Sequence, residues 1–167
     1  MSIEYENPWF KIVKNGKYHY LSENGSDNGA VILAIVDEQF VFVKVYRPAH
    51  GKAFIEAPRG YGNSGETSQL CAMRELFEET GYSLDVSDLK PLGVVCPNSA
   101  ILSSTIPVFL IEAAQQLRQA VNDDEVSELC FIPKVEIHNY VAQSKISDGI
   151  TLSALGLYWA KIYANKV

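Results

Sequence analysis

The chain has 167 residues and a mass of 18.5 kDa, the length of one domain, 1–167. Hydrophobic residues make up 47% and charged residues 20%, ordinary for a folded globular protein and inconsistent with disorder as the main state. Fourteen Lys+Arg against twenty Asp+Glu leave a net charge of -6, which disfavours a nucleic-acid partner. An anionic ligand then needs a local cationic device, such as a metal.

In chain order, residues 1–7 carry two acids and no apolar stretch, unlike a signal peptide. Residues 8–21 read as two short strands turned at Asn15-Gly16, a strong hairpin dipeptide. Residues 22–28 are loop. The β-branched and aromatic runs 30–36 and 40–46 form a second hairpin, with strands buried on both faces. The run 30–36 is also the longest apolar stretch, far short of the ~20 residues a membrane helix needs. Pro48 stops the second of these strands, and 53–56 reads as another short one.

From about Gly65 to Thr80 the period becomes helical, with Ser64 as the expected N-cap and Gly81 as the left-handed stop. Strands are expected at 90–96, 105–111 and 128–131. Helices are expected at 134–144 and 150–164, the last capped by Ser147 or Asp148. This order implies helices on the faces of a mixed sheet. Cys71, Cys96 and Cys130 are odd in number and lack C-x-x-C spacing, so they read as reduced, buried thiols in a cytoplasmic protein. His19, His50 and His138 lack zinc spacing.

On a helical wheel, Leu70, Met73, Leu76 and Phe77 form the arc expected to face the sheet. Glu75, Glu78 and Glu79 gather on the opposite arc. Arg74 stands i,i+4 to Glu78 and is expected to neutralise it, leaving the other two unpaired. Taken alone, such a helix presents a solvated acidic face. The preceding loop, Arg59-Gly60-Tyr61-Gly62-Asn63-Ser64-Gly65, points elsewhere, because its glycines let backbone carbonyls approach a ligand. A hard divalent cation such as Mg²⁺ takes one or two carboxylates together with substrate phosphates.

Gly60, five residues, Glu66, seven residues, then Arg74-Glu75-Leu76-Phe77-Glu78-Glu79-Thr80-Gly81-Tyr82 resembles the Nudix box. Tyr82 departs from the family, which has an aliphatic residue there. Val45-Tyr46-Arg47-Pro48-Ala49 and Phe54-Ile55-Glu56-Ala57-Pro58, with Pro97 sixteen positions beyond Gly81, resemble the ADP-ribose pyrophosphatases within that family. The tail from Lys145 to Leu152 is similar as well. Arg59 departs from that subgroup, which often has a small residue before the box glycine.

The resemblance implies a Nudix fold, an α/β/α sandwich with a mixed β-sheet, and a homodimer in which the N-terminal hairpin takes part. It implies Mg²⁺-dependent hydrolysis of a nucleoside diphosphate linked to another moiety, with ADP-ribose giving AMP and ribose 5-phosphate. Mn²⁺ is the alternative ion. The rival readings are a hydrolase of nucleoside triphosphates or dinucleoside polyphosphates, and a non-catalytic nucleotide-sensing module.

By the same resemblance the metal ligands are Glu75, Glu79 and the Arg59 carbonyl, with Glu78 joining through a second ion or water. Glu66 is expected to support the helix start, with metal contact as the alternative. The general base is Glu125, from the acidic loop 122–125, or else Glu78. Substrate contacts are expected from Arg47 to a phosphate, from Glu56 to the nucleotide part, and from the Arg59 side chain through its effect on which group fits. Trp9 stacks on adenine or else belongs to the core.

Overall fold

The protein is described by a computed structural model that covers residues 1–114, 116–121 and 124–164. Its first three strands, β1 (Ser2–Glu6), β2 (Phe10–Asn15) and β3 (Tyr18–Glu23), form a small antiparallel sheet in the order β1-β2-β3. The Asn15-Gly16 turn falls where the dipeptide puts it, with Asn15 opposite Tyr18. Strand β1 was not expected: Ser2–Glu6 alternates polar and apolar residues, but over five positions only, and all five are exposed.

The second sheet is mixed. It contains β4 (Ala30–Val36), β5 (Gln39–Arg47), β6 (Lys52–Glu56), β7 (Arg59–Gly60), β8 (Lys90–Val95), β9 (Ile106–Ala113) and β10 (Val126–Pro133). Strand β4 runs parallel to β9 and antiparallel to β5, and all seven of its residues are buried. Val36 pairs with Gln39, but toward its other end β4 pairs with β7 instead, Ala30 opposite Gly60. Strand β5 meanwhile takes β6, with Val43 opposite Glu56. The segment from β6 to β7 therefore wedges between two parting strands. That wedge positions Glu56, Arg59 and Gly60.

The alternation of β4 assigns its two faces. Ala30, Ile32, Ala34 and Val36 pack with Cys71, Ala72 and Leu76 of α1 (Ser68–Thr80). Val31, Leu33 and Ile35 pack with Ile137 of α2 (Ile137–Ala142) and with Ala154, Leu155 and Tyr158 of α3 (Gly149–Ala164). Helices thus cover both faces of the mixed sheet, the expected α/β/α sandwich.

Several local expectations need correction. The N-cap of α1 is Thr67, whose hydroxyl accepts from the Leu70 amide at 3.3 Å, not Ser64. Glu66 therefore precedes the helix and is held in the loop, accepting from the Asn63 amide at 2.9 Å. The arc that faces the sheet is also rotated from the expected one: Leu70, in the first turn, is 53% exposed, whereas Cys71, Ala72 and Leu76 are buried. The C-terminal stop is Gly81 as expected, at φ 78° with its amide donating to the Phe77 carbonyl. Helix α2 is shorter than 134–144, since the Lys134 amide bonds the Glu38 carbonyl and Ser144 turns to φ 55°. The three cysteines are free, but Cys96 is exposed and Cys130 half-buried. No helix among the described residues is long and apolar enough to cross a membrane.

Candidate functional site

A cavity of about 840 Å³ opens where β7, the C-terminal half of α1 and the end of the small sheet meet. Trp9, Arg47, Arg59, Glu75, Glu79 and Glu125 all line it, as do Gly60 and Pro97. These residues come from separated parts of the chain, and the wedge between β4 and β5 brings them together. Glu56 and Glu78 are not among its walls.

Glu75 and Glu79 lie one turn apart on α1 and face the cavity together. Gly60 passes so close to Glu75 that a Cβ added there would lie 2.1 Å from Glu75 Oε1. The Cys71 thiol donates to the Gly60 carbonyl at 3.6 Å from behind, and burial pushes that thiol up to about 11. Glu79 accepts from the Arg59 amide at 3.2 Å. Glu79 is thus tied to the loop by a backbone hydrogen bond, and Glu75 lies against the loop at Gly60.

Arg74 does more than the wheel implies. Its guanidinium contacts Glu78 at 2.9 Å as expected, but also Glu75 at 2.6 Å and Glu66 at 3.0 Å, and it donates to the Tyr61 carbonyl at 2.9 Å. Glu75 is therefore paired. Burial pushes the Glu75 carboxyl up and the Arg74 hydrogen bond opposes it, while Arg74 draws the Glu66 carboxyl down. Glu78 is half exposed and faces Arg74.

Behind the cavity wall lies an ion network. Glu56 is 1% exposed and accepts two bonds from Arg47, at 3.0 and 2.6 Å. It also meets Arg59 at 2.7 Å. Arg59 continues to Asp148 at 2.6 Å, and Asp148 accepts from both the amide and the hydroxyl of Thr151 at the start of α3. The Thr151 hydroxyl in turn accepts from the Ala57 amide at 2.9 Å. Burial alone would raise the Asp148 carboxyl, but Arg59 and the Thr151 bonds hold it below the usual carboxylate range. The Glu56 hydrogen bond raises the Arg47 guanidinium. Asp148 thus caps α3 and anchors Arg59, whose side chain is turned from solvent.

Trp9, expected in a strand, precedes β2 and is 72% exposed at the cavity edge. Asp124 and Glu125 of the acidic loop line the cavity; Asn122 and Asp123 lie outside the described residues. Glu23 and Tyr61 also line it, and no sequence pattern singled them out. The Tyr61 hydroxyl donates to Glu23 at 2.9 Å, and the buried Ser104 hydroxyl donates to the other Glu23 oxygen. Burial, then Glu23, pushes the Tyr61 phenol up to about 12. Tyr61 was reachable as the residue after the box glycine, whereas Glu23 was one acid in an unstructured reading.

Residues 26–149 match the family model of the NUDIX domain. The chain is 31% identical over 133 residues to ADP-sugar pyrophosphatase from Mus musculus, covering 76% of this chain and 57% of that protein. It is 28% identical over 131 residues to ADP-ribose pyrophosphatase from Bacillus subtilis (strain 168), covering 76% of this chain and 70% of that one. The crystal structure of an ADP compounds hydrolase superposes with a TM-score of 0.78 at 18% identity, over 98% of this chain and 92% of that one. The mouse protein is thus substantially longer than the part that this chain matches.

Proposed function

We propose a reaction from one premise, that this chain belongs to the NUDIX domain family: it hydrolyses the pyrophosphate bond of a nucleoside diphosphate linked to another moiety, with a divalent metal. The favoured substrate is ADP-ribose, split by water into AMP and ribose 5-phosphate. The observation that carries this is the shared cavity, in which the α1 carboxylates, Arg47 and Glu125 face one volume of about 840 Å³. Its size suits a nucleotide conjugate, since ligand pockets run to roughly 300–1,000 Å³.

The residues present fit a hard cation. Two carboxylates one turn apart face a space large enough for phosphates, and an arginine already stands at Glu75 as a positive charge. Among the described residues no three His, Cys, Asp or Glu side chains could hold an ion by themselves. Mg²⁺ takes one or two carboxylates and otherwise water and substrate oxygens. Glu75, Glu79 and the Arg59 carbonyl would hold it, with Glu78 contributing through water; Mn²⁺ would serve similarly. When bound, the ion supplies charge neutralisation on the diphosphate bridge.

The chain's own groups do the rest. Arg47, fixed by Glu56, presents its remaining N–H donors to a phosphate oxygen. Glu125 takes the proton of the attacking water; it is preferred to Glu78 because it lines the cavity. Trp9 offers an open aromatic face for a base. Arg59 acts through its backbone, its guanidinium being engaged with Glu56 and Asp148.

We further propose a homodimer through the small sheet, supported by the exposed Ile3, Tyr5 and Tyr18 on it. The three free thiols favour a reducing compartment, the cytoplasm. The test is a product screen over ADP-ribose, other sugar nucleotides, dinucleotides and triphosphates at fixed Mg²⁺. AMP and ribose 5-phosphate from ADP-ribose support the reading. Pyrophosphate from triphosphates alone, or no turnover, would overturn it.

A further inference from the structure

The cavity has an unusual charge balance for a site that receives a diphosphate. Glu23, Asp124 and Glu125 face the same space as Glu75 and Glu79, and the guanidiniums among its described walls are those of Arg47 and Arg59. Both guanidiniums are already matched by Glu56, and Arg59 by Asp148 as well. Beyond a metal-bridged diphosphate, the walls thus have little positive charge left for a further phosphate.

Glu23 is the distinctive member of this set. It enters from the end of β3, next to Trp9, whose carbonyl accepts from the Asn24 amide at 2.9 Å. Its oxygens accept from the Tyr61 and Ser104 hydroxyls, and no Lys, Arg or His pairs with it among the described residues. A half-buried carboxylate without a cation is costly, and an amide would satisfy the same two hydroxyls more cheaply. An ionised carboxylate has about four acceptor sites, so capacity remains after those two bonds. Tyr61 and Ser104 fix its direction, which preorganises that capacity at the cavity wall.

We propose that Glu23 is a specificity-determining residue, whose carboxylate accepts a hydrogen bond from an uncharged amino or hydroxyl group of the substrate and rejects a phosphate at that place. This rests on the diphosphate-hydrolase reading above. The site selects conjugates whose ends are neutral donors over those that carry an extra phosphate monoester. A carboxylate repels a phosphate and leaves it no donor, so discrimination comes from both attraction and repulsion.

The experiment measures kcat/KM for ADP-ribose, for inosine diphosphate ribose, which lacks the exocyclic amine, and for ADP-ribose 2′-phosphate. It uses the full chain and its E23Q and E23D variants, with thermal melting as a folding check. E23Q is expected to lower kcat/KM for ADP-ribose at least tenfold, mainly through KM. The preference for ADP-ribose over its 2′-phosphate should shrink by a similar factor. E23D, which keeps the charge but withdraws it, should weaken binding of ADP-ribose while retaining the bias against the 2′-phosphate. An E23Q effect lost with the inosine compound assigns the donor to the base; one that persists assigns it to a hydroxyl. Equal losses on all three substrates, or changes within threefold, would overturn the assignment while wild-type turnover keeps the hydrolase reading. Absence of turnover by the wild type would overturn both.

Discussion

Gly60 lies flat against the carboxylate of Glu75, so close that a methyl group on its Cα would meet Oε1 at 2.1 Å. The box glycine is thus a matter of approach between β7 and α1. The G60A variant must displace Glu75 from the cavity or push the loop away. It is expected to lose at least about 100-fold in kcat, as 1 Å misplacements do. Steady-state kinetics at saturating metal checks this, and a variant within threefold of wild type would show that Glu75 does not need its observed position.

Arg59 and Asp148 join the loop before α1 to the cap of α3. The Asp148 carboxyl is held below its unfolded value, so its contribution to stability is present above about pH 4 and is lost as pH falls through the lower folded value. D148N should therefore cost about 1–3 kcal/mol at pH 7. The gap from wild type should narrow below about pH 4. Urea melts at pH 7 and pH 3 measure it; a gap that widens on acidification would contradict the sign.

The two ends of the apolar arc on α1 should respond differently. L76A empties a fully buried site between α1 and β4 and is expected to cost about 2–5 kcal/mol. L70A, at an exposed position, should stay within about 0.5 kcal/mol. Denaturant midpoints decide between this placement and one in which Leu70 faces the sheet.

Arg74 holds Glu66, Glu75 and Glu78 around one positive charge. Removing it in R74A should lower the melting temperature of the metal-free protein by several degrees. Added Mg²⁺ should then raise the melting temperature more in R74A than in wild type, because the ion no longer competes with a guanidinium for Glu75. Equal shifts in a thermal titration would show that Arg74 and the metal do not share that carboxylate.

The parts of this fold legible in the sequence were those with a strong local period. The fully buried β4, the Asn15-Gly16 turn and the Gly81 stop all follow from residues within a few positions of one another. The start of α1 was less so, because Ser64 and Thr67 are both capable caps, and which one closes depends on Glu66 and Arg74 bracing the loop. Leu70 was misplaced for a different reason: the face that meets β4 is made by Cys71 and Ala72 beside Leu76, residues too small to mark an apolar arc. Strand β1 does alternate, Ile3 and Tyr5 between Ser2, Glu4 and Glu6, but over five residues only, and neither of its faces is buried. In the site, the box spacing placed Glu75 and Glu79 together, but the partners of Arg59 are set by tertiary structure. Asp148 lies 89 residues away from it, and only packing of α3 brings the two into contact. The same holds for Glu23, which meets Tyr61 across 38 residues and Ser104 across 81.

Manganese is the most direct probe of the cavity. Crystals soaked in Mn²⁺ with a non-hydrolysable ADP-ribose analogue should give an anomalous peak touching the carboxylates of Glu75 and Glu79 and an oxygen of the diphosphate. Soaked crystals of E79Q should lose most of that peak. No peak in the wild type, with Glu75 still bound to Arg74 and Glu79 to the Arg59 amide, would contradict metal-assisted hydrolysis at this site.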